Sequence, residues 1–281
     1  MTCYRYDELT WEEVDALPKE NTIVFLSLNP VEEHGVHLPL GTDVFEGADL
    51  AEKAAAYLPE FDSELVGVIF PPIPLGCAGV TKDFPGTIHV GGKTLMRVVK
   101  AVCGSLARSG FRYILVVNHH GDPVHIKAIH VGAKRIMKKF NVKIYEPAGN
   151  IIYGDESLLD AKIFEKTGLE RKYETHADVV ETSHMLYRYP RLVKETYKSL
   201  KPFKVDIPQQ MRKGNRTFKK MGSHQGHLGS PGLADEELGK IHLEDGGRLL
   251  AECAFKLHRG EPLPQMGRFM RNIIRFLIRL D

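Results

Sequence analysis

Apolar positions along the chain fall into two alternating patterns. In "TIVFLSL" (22–28), "LVGVIF" (65–70), "YILVVN" (113–118) and "VKIYEP" (142–147) they form short, nearly unbroken, β-branched runs. In "FEGADLAEKAAAYL" (45–58), "GGKTLMRVVKAVCGSLARSG" (91–110) and "PVHIKAIHVGAKRIMKKF" (123–140) they recur every three or four residues. The first pattern predicts buried strands and the second predicts helices. Gly110 stands where a helix C-cap is expected. Strand and helix in alternation predict a parallel sheet covered on both faces. Strands buried on both sides need continuous apolar runs, which these supply. Beyond residue 150 the pattern loosens. "ETHADVVETSHMLYRY" (174–189) and "DEELGKIHLEDGGRLLAECAFKL" (235–257) predict helices, although paired glycines weaken the second. Residues 200–232, rich in Lys, Gln, Gly and Pro, predict a long loop. With no repeat and no linker, one α/β domain over 1–260 is expected, followed by a helical tail over 261–281.

Composition narrows the function. Lys+Arg 38 against Asp+Glu 36 gives a net charge of +2, which offers nothing to a nucleic acid. No run reaches the roughly 18 apolar residues of a transmembrane segment. The start, "MTCYRYDELTWEEV", lacks the basic and apolar regions of a signal peptide. Cys3, Cys77, Cys103 and Cys253 are scattered, as expected of reduced thiols in a cytoplasmic protein.

Two polar clusters follow strands directly. "VEEHGVHLPLGTD" (31–43) comes after 22–28, and "NHHGD" (118–122) overlaps the end of 113–118. Open α/β sheets bind ligands at the carboxyl ends of their strands. The two ends would bring Glu32, His34, Asp43, His120 and Asp122 to one crevice. Mixed carboxylate and imidazole ligands suit divalent Zn, Mn or Fe. The remaining histidines, including His125, His130, His242 and His258, read as surface or core residues. "QQMRKGNRTFKKMGSHQGH" (209–227) reads equally as a solvated loop or as a lid. "MGRFMRNIIRFLIRLD" (266–281) reads as a basic amphipathic helix for a subunit or domain contact, ahead of a membrane surface.

These stretches resemble the creatininase family, the creatinine amidohydrolases. "EEHGVHLPLGTD" (32–43) is similar to its E-x-H-G-x-H-L-P-L-x-T-D signature, and "DFPGTI" (83–88) to its F-P-G-T segment. "VNHHGD" (117–122) resembles its N-G-H segment, "HADVVETSHML" (176–186) its H-A-G-x-x-E-T-S-x-M-L segment, and "GSPGLADEELG" (229–239) its late G-D-P segment. The matches come in family order. The resemblance implies a three-layer α/β/α sandwich with a mostly parallel central sheet. It also implies two divalent metal ions, hydrolysis as the reaction, and a homo-oligomer such as a hexamer. Glu32 and His34 would each hold one ion, Asp43 would bridge both, and His120 would be a further ligand. The last ligand would be Asp122 or Glu181, and His176 the proton-shuttling catalytic residue. On one regular helix His176 and Glu181 would lie about 140° apart. Both face the site only if the helix starts after His176.

The departures concern substrate. Where the family often reads G-x-S-x-E-H, this chain has "GCAGVT" (76–81), and His119 replaces a usual Gly. Ala78, Thr81, Lys82 and His119 are therefore candidate substrate-binding residues of a rebuilt wall. The resemblance implies ring-opening hydrolysis of diketo-inositols as well as of creatinine; with the wall rebuilt, the small polar cyclic substrate expected is an inositol diketone, 3-dehydro-scyllo-inosose, opened at a C–C bond. The alternatives are a cyclic amide or a formamide. A different class, an inactive binding protein, is disfavoured because Glu32, His34, Asp43 and His120 are all present.

Overall fold

A computed structural model describes residues 3–280; residues 1, 2 and 281, the last of which ends the tail segment, lie outside it. In chain order the principal elements begin with β1 (Cys3–Arg5), α1 (Trp11–Ala16), β2 (Thr22–Leu28), α2 (Thr42–Phe61) and β3 (Val66–Ile73). Then come α3 (Gly92–Arg108), β4 (Tyr113–Val117), α4 (Pro123–Met137), β5 (Lys143–Tyr145) and α5 (Pro147–Ile152). The last are α6 (Ala161–Thr167), α7 (Val179–Arg188), α8 (Ile207–Arg212), α9 (Glu236–Arg259) and α10 (Arg268–Asn272).

The strands form one five-stranded sheet in the order β1-β3-β2-β4-β5, and every pairing is parallel. β2 shows why the fold needs two covering layers. Its residues alternate faces. Ile23 and Phe25 pack with Leu50, Ala54, Leu243 and Ala254 of α2 and α9. Val24 and Leu26 pack with Leu95, Val99 and Ile129 of α3 and α4. Burying a side chain such as Phe25 contributes about 2–3 kcal/mol. The result is the expected α/β/α sandwich.

The four read strands and the helices between them are present with shifted ends. β1 was not anticipated; it is three residues long and adds an edge to β3. Gly110 adopts φ +92°, and Phe111 N–H donates to the Leu106 carbonyl, so the chain leaves α3 through a left-handed cap. The paired glycines do not interrupt α9. Gly246 and Gly247 face Leu50 and Lys53 of α2, where a Cβ would come within 2.8 and 2.4 Å. They let the two helices pack closely.

The tail is shorter than its pattern predicts. α10 runs into one wide turn over Ile273–Leu277. Met270, Ile274 and Ile278 pack with Ile126, Tyr153 and Met266. The Lys127 ammonium donates to the carbonyls of Arg275 and Ile278 at 2.9 and 2.5 Å. Among the described residues no helix is long and apolar enough to cross a membrane.

Candidate metal centre

Strand order reverses between β2 and β4, since β3 lies on one side of β2 and β4 on the other. A crevice opens outside the carboxyl ends at such a point. The segment after β2 carries Glu32, Glu33 and His34. Asp43 follows in the first turn of α2, where the helix dipole favours a carboxylate. The loop after β4 carries His119 and His120. Asn29 ties the two strand ends together: its amide donates to Ser27 Oγ and the Val117 carbonyl, and its oxygen accepts from His119 N–H at 2.6 Å.

At the centre lies Asp43, almost fully buried. Its Oδ1 is 3.3 Å from His34 Nε2, and its Oδ2 is 3.4 Å from His120 Nδ1. Glu32 Oε1 is 3.0 Å from His120 Nδ1, and Glu181 Oε2 is 3.8 Å from His34 Nε2. Two donor sets thus share Asp43: Glu32, Asp43 and His120 on one side, and His34, Asp43 and Glu181 on the other.

The rings are oriented from behind. His120 Nε2 pairs with the Cys77 carbonyl at 2.8 Å, and His34 Nδ1 with the Glu32 carbonyl at 3.1 Å. A carbonyl accepts only from N–H, so each ring directs its other nitrogen at the carboxylates. Such outer hydrogen bonds fix the tautomer of metal-binding histidines. Glu32 Oε1, His34 Nε2 and Asp43 Oδ2 are buried without a hydrogen-bond partner. Unpaired buried polar atoms are costly, and a shared cation would satisfy all three. Burial opposes charge on His34 and His120. Asp43 with Glu181, and Glu32 with Asp43, outweigh it, so both rings are raised well above their ordinary pKa. For Asp43 burial is outweighed by His34 and His120, and its pKa lies well below the usual carboxylate range. The protein's own charges thus favour a positive charge at this spot, whether carried by protons or by metal.

α7 starts at Val179, after His176. The break occurs at Ala177, whose φ of +46° is unusual for a residue with a Cβ. Its N–H donates to Glu181, and Asp178 caps the helix by accepting from Val180 and Glu181 N–H. His176 and Glu181 therefore reach one site despite their helical spacing. His176 Nε2 pairs with the Glu33 carbonyl at 2.8 Å, which leaves Nδ1 facing Glu32 Oε1 at 3.9 Å. Burial and His34 oppose charge on His176. Glu33 and Glu32 outweigh them and raise it to about 9.

The other candidate residues lie elsewhere or are engaged. Asp122 caps α4: its Oδ1 accepts from Val124 and His125 N–H, and its Oδ2 from Gly79 N–H. The Thr81 hydroxyl donates to Glu32. Ala78 is fully buried, and Lys82 is exposed. His119 faces Glu46, with Nδ1 2.7 Å from Oε2. The 209–227 segment divides: residues 211–214 are exposed, whereas Thr217, Phe218, Met221, Ser223 and His227 are buried. Phe218 lies against His176 with ring centroids 5.1 Å apart. At Gly226, φ +83°, a Cβ would strike Glu33 Oε2.

Sequence reasoning missed Glu33, Glu46 and His242. Glu33 lay within the polar cluster, and Glu46 one turn after Asp43; both signals were available. His242, read as a surface or core residue, is buried and joins Glu46 and His119. Nothing local marked it.

Comparison with known proteins places the chain in a family. The family model described as creatininase, creatinine amidohydrolase, matches residues 7–254. The chain belongs to the creatininase family. It is 26% identical over 202 residues to the creatinine amidohydrolase of Pseudomonas putida, an alignment covering 66% of this chain and 72% of that protein. It is 30% identical over 113 residues to the mycofactocin precursor peptide peptidase of Mycolicibacterium smegmatis, covering 40% of this chain and 45% of the peptidase. The chain thus spans less than half the length of that peptidase. Among solved structures, one described as "Creatininase Mn" superimposes with a TM-score of 0.67 at 23% identity, covering 88% of this chain and 96% of that one. A creatinine amidohydrolase (creatininase) structure gives a TM-score of 0.66 at 22% identity, covering 88% and 95%. The three-layer fold is shared, and the protein is a metal-dependent hydrolase of this family.

Proposed function

We propose that this creatininase-family hydrolase binds two divalent ions and opens a small polar ring. The observation that carries the reading is Asp43, whose two oxygens are divided between His34 and His120. Glu32, Asp43 and His120 would hold one ion, and His34, Asp43 and Glu181 the other. Asp122 is left out of both sets because it caps α4 and joins neither cluster of ligand atoms. The ligand set suits Mn, Zn or Fe. When bound, such a pair supplies an activated water near neutral pH and a Lewis-acid contact for a carbonyl oxygen. The chain's own residues do the rest. Glu33 anchors His176 through Nε2, so Nδ1 would take up a proton and pass it to the leaving atom. Phe218 and the segment around it would exclude bulk water from that transfer.

Our reading of the substrate is a hydroxylated cyclic 1,3-diketone, with 3-dehydro-scyllo-inosose as the named candidate. The leaving carbon would accept the proton from His176. Support comes from the departures near the site. Ala78 has no hydroxyl, and Thr81 is committed to Glu32, so neither offers the polar partner that creatinine chemistry would use. A second reading, hydrolysis of a cyclic amide or formamide, is favoured by the C–N bonds implied in the relatives' names. Metal-loaded protein incubated with the inosose and with cyclic amides decides between them. Acid formed from the inosose is expected. Release of amine or formate alone would replace the first reading with the second.

The same proposal places the enzyme in the cytoplasm as a homo-oligomer, without a nucleic-acid partner. No disulfide joins its cysteines. The outer face of the tail exposes Phe269, Phe276 and Leu277 by 74, 67 and 72%, an apolar surface suited to self-association. Light scattering should show an assembly, and a single 31.6 kDa species would overturn this part.

A further inference from the structure

We propose a third cation site, built by Glu46, His119 and His242, behind the dinuclear centre. The three residues come from α2, the loop after β4 and α9. Each offers a ligand atom, and these atoms lie within 4.8 Å of one another. Glu46 is fully buried, and neither of its carboxylate oxygens has a hydrogen-bond partner. Its Oε2 lies 2.7 Å from His119 Nδ1, a contact without hydrogen-bond geometry. A simple ion pair between them leaves Glu46 Oε1 and the buried His242 Nε2 with nothing to bind. A cation between the three completes all of them.

The outer contacts match those of a metal-binding histidine. His242 Nδ1 is 2.7 Å from Asp160 Oδ1. A neutral ring donating there presents its Nε2 lone pair to Glu46 and His119. Carboxylate–histidine pairs of this kind orient metal ligands and raise their basicity. Two imidazoles and one carboxylate select a first-row divalent ion of the zinc, iron or cobalt class over magnesium or calcium. Three protein ligands leave a coordination position open, as in zinc sites that keep a water.

Position gives the site a purpose. Glu46 is one helical turn from Asp43, and His119 adjoins His120. An ion here would pin α9 to the two segments that carry the bridging carboxylate and an imidazole of the dinuclear centre. It would therefore be a positioning element, not part of the reacting set.

The proposal rests on metal binding by the chain as read above, and its test separates the two. Metal-free protein is reloaded with excess zinc, exchanged into metal-free buffer and analysed for bound metal. Crystals of the same loaded wild-type protein are measured across the zinc absorption edge. Three ions per chain are expected, with an anomalous peak between Glu46, His119 and His242. Glu46→Gln and His242→Ala should each retain two, and Asp43→Ala should retain one. Two ions in the wild type, with no anomalous peak among the three residues, would overturn the third site and leave the dinuclear reading intact. One ion, lost only in the Glu46 and His242 variants, would overturn the dinuclear reading and leave this one. Three ions with the third peak elsewhere would also overturn the proposal. The wild-type crystals decide even if a variant fails to fold.

Discussion

At the scale of single residues the site depends on which nitrogen or oxygen is left free. His34 and His120 each use one nitrogen on a backbone carbonyl and turn the other toward Asp43. Asp43 is the one side chain common to both donor sets. Asp43→Ala is therefore expected to lose both ions of the proposed dinuclear centre, whereas Glu181→Gln should lose only the ion on the His34 side. Metal analysis of the two purified variants checks this; equal losses would mean that the ions do not share a ligand. His176 lies close to the pair, with Nδ1 3.9 Å from Glu32, and its ligand atoms cluster with those of Glu32 and His34, but we assign it the proton-transfer role. Replacing it with Asn should leave the metal content unchanged and lower kcat by roughly 10²–10⁴-fold, the usual contribution of a positioned proton donor. A loss of metal instead would make His176 a ligand.

At the scale of elements, α7 must be held against α2 for Glu181 to meet His34. Asp49 does this from α2. It accepts from His184 Nε2 at 3.0 Å, from Arg188 Nε and Nη2 at 3.1 Å each, and from the Tyr189 hydroxyl at 3.0 Å. Burial disfavours its charge, but His184 and Arg188 outweigh it and keep its pKa low. A carboxyl with a lowered folded pKa adds stability above its unfolded value, and that stability is lost as pH falls through the folded one. Arg188 is partly exposed, which weakens its share. Asp49→Asn should cost about 2 kcal/mol at pH 7, the value of hydrogen bonds to a charged group. Denaturant midpoints measure it; an unchanged midpoint would leave the α2–α7 contact to apolar packing. The elements themselves were largely legible. β2 is buried on both faces and reads as an unbroken apolar run, so its ends could be placed from sequence. β1 escaped because three half-exposed residues carry no periodicity. Most of the candidate cluster was legible because Glu32, His34 and Asp43 lie in one stretch after β2, and His120 closely follows β4, the strand beside β2 in the sheet. Glu46 and His242 were not paired because their meeting depends on α2 and α9 packing together, which local sequence does not encode. Asp122 and Glu181 stayed open alternatives for a related reason: an acid just before a helix is as good a cap as a ligand.

At the scale of the whole molecule, buried neutral histidines set how the fold responds to acid. His125 is the clearest. Its Nδ1 accepts from Cys77 N–H, and its Nε2 is 3.3 Å from the Leu28 carbonyl, so the neutral ring uses both nitrogens and has no place for a second proton. Burial and the neighbouring His120 push its pKa down to about 3. Burial likewise lowers His37 to about 3 and His184 to about 4. In the unfolded chain each ring takes a proton near pH 6.5. Between there and the folded value the unfolded state binds more protons, so stability falls with pH by about 1.4 kcal/mol per unit for each ring. Asp178 and Glu46, raised by burial, run the other way and offset part of the fall. The net slope is therefore less telling than a difference. His125→Gln preserves a donor and an acceptor but cannot titrate. Between pH 6 and 4.5, wild type should lose about 1.4 kcal/mol per unit more than this variant. Urea unfolding of metal-free protein across that range gives the two slopes. Parallel slopes would mean that His125 is already charged in the folded state, and that the loops joining β2 and Cys77 are held by something other than its neutral ring.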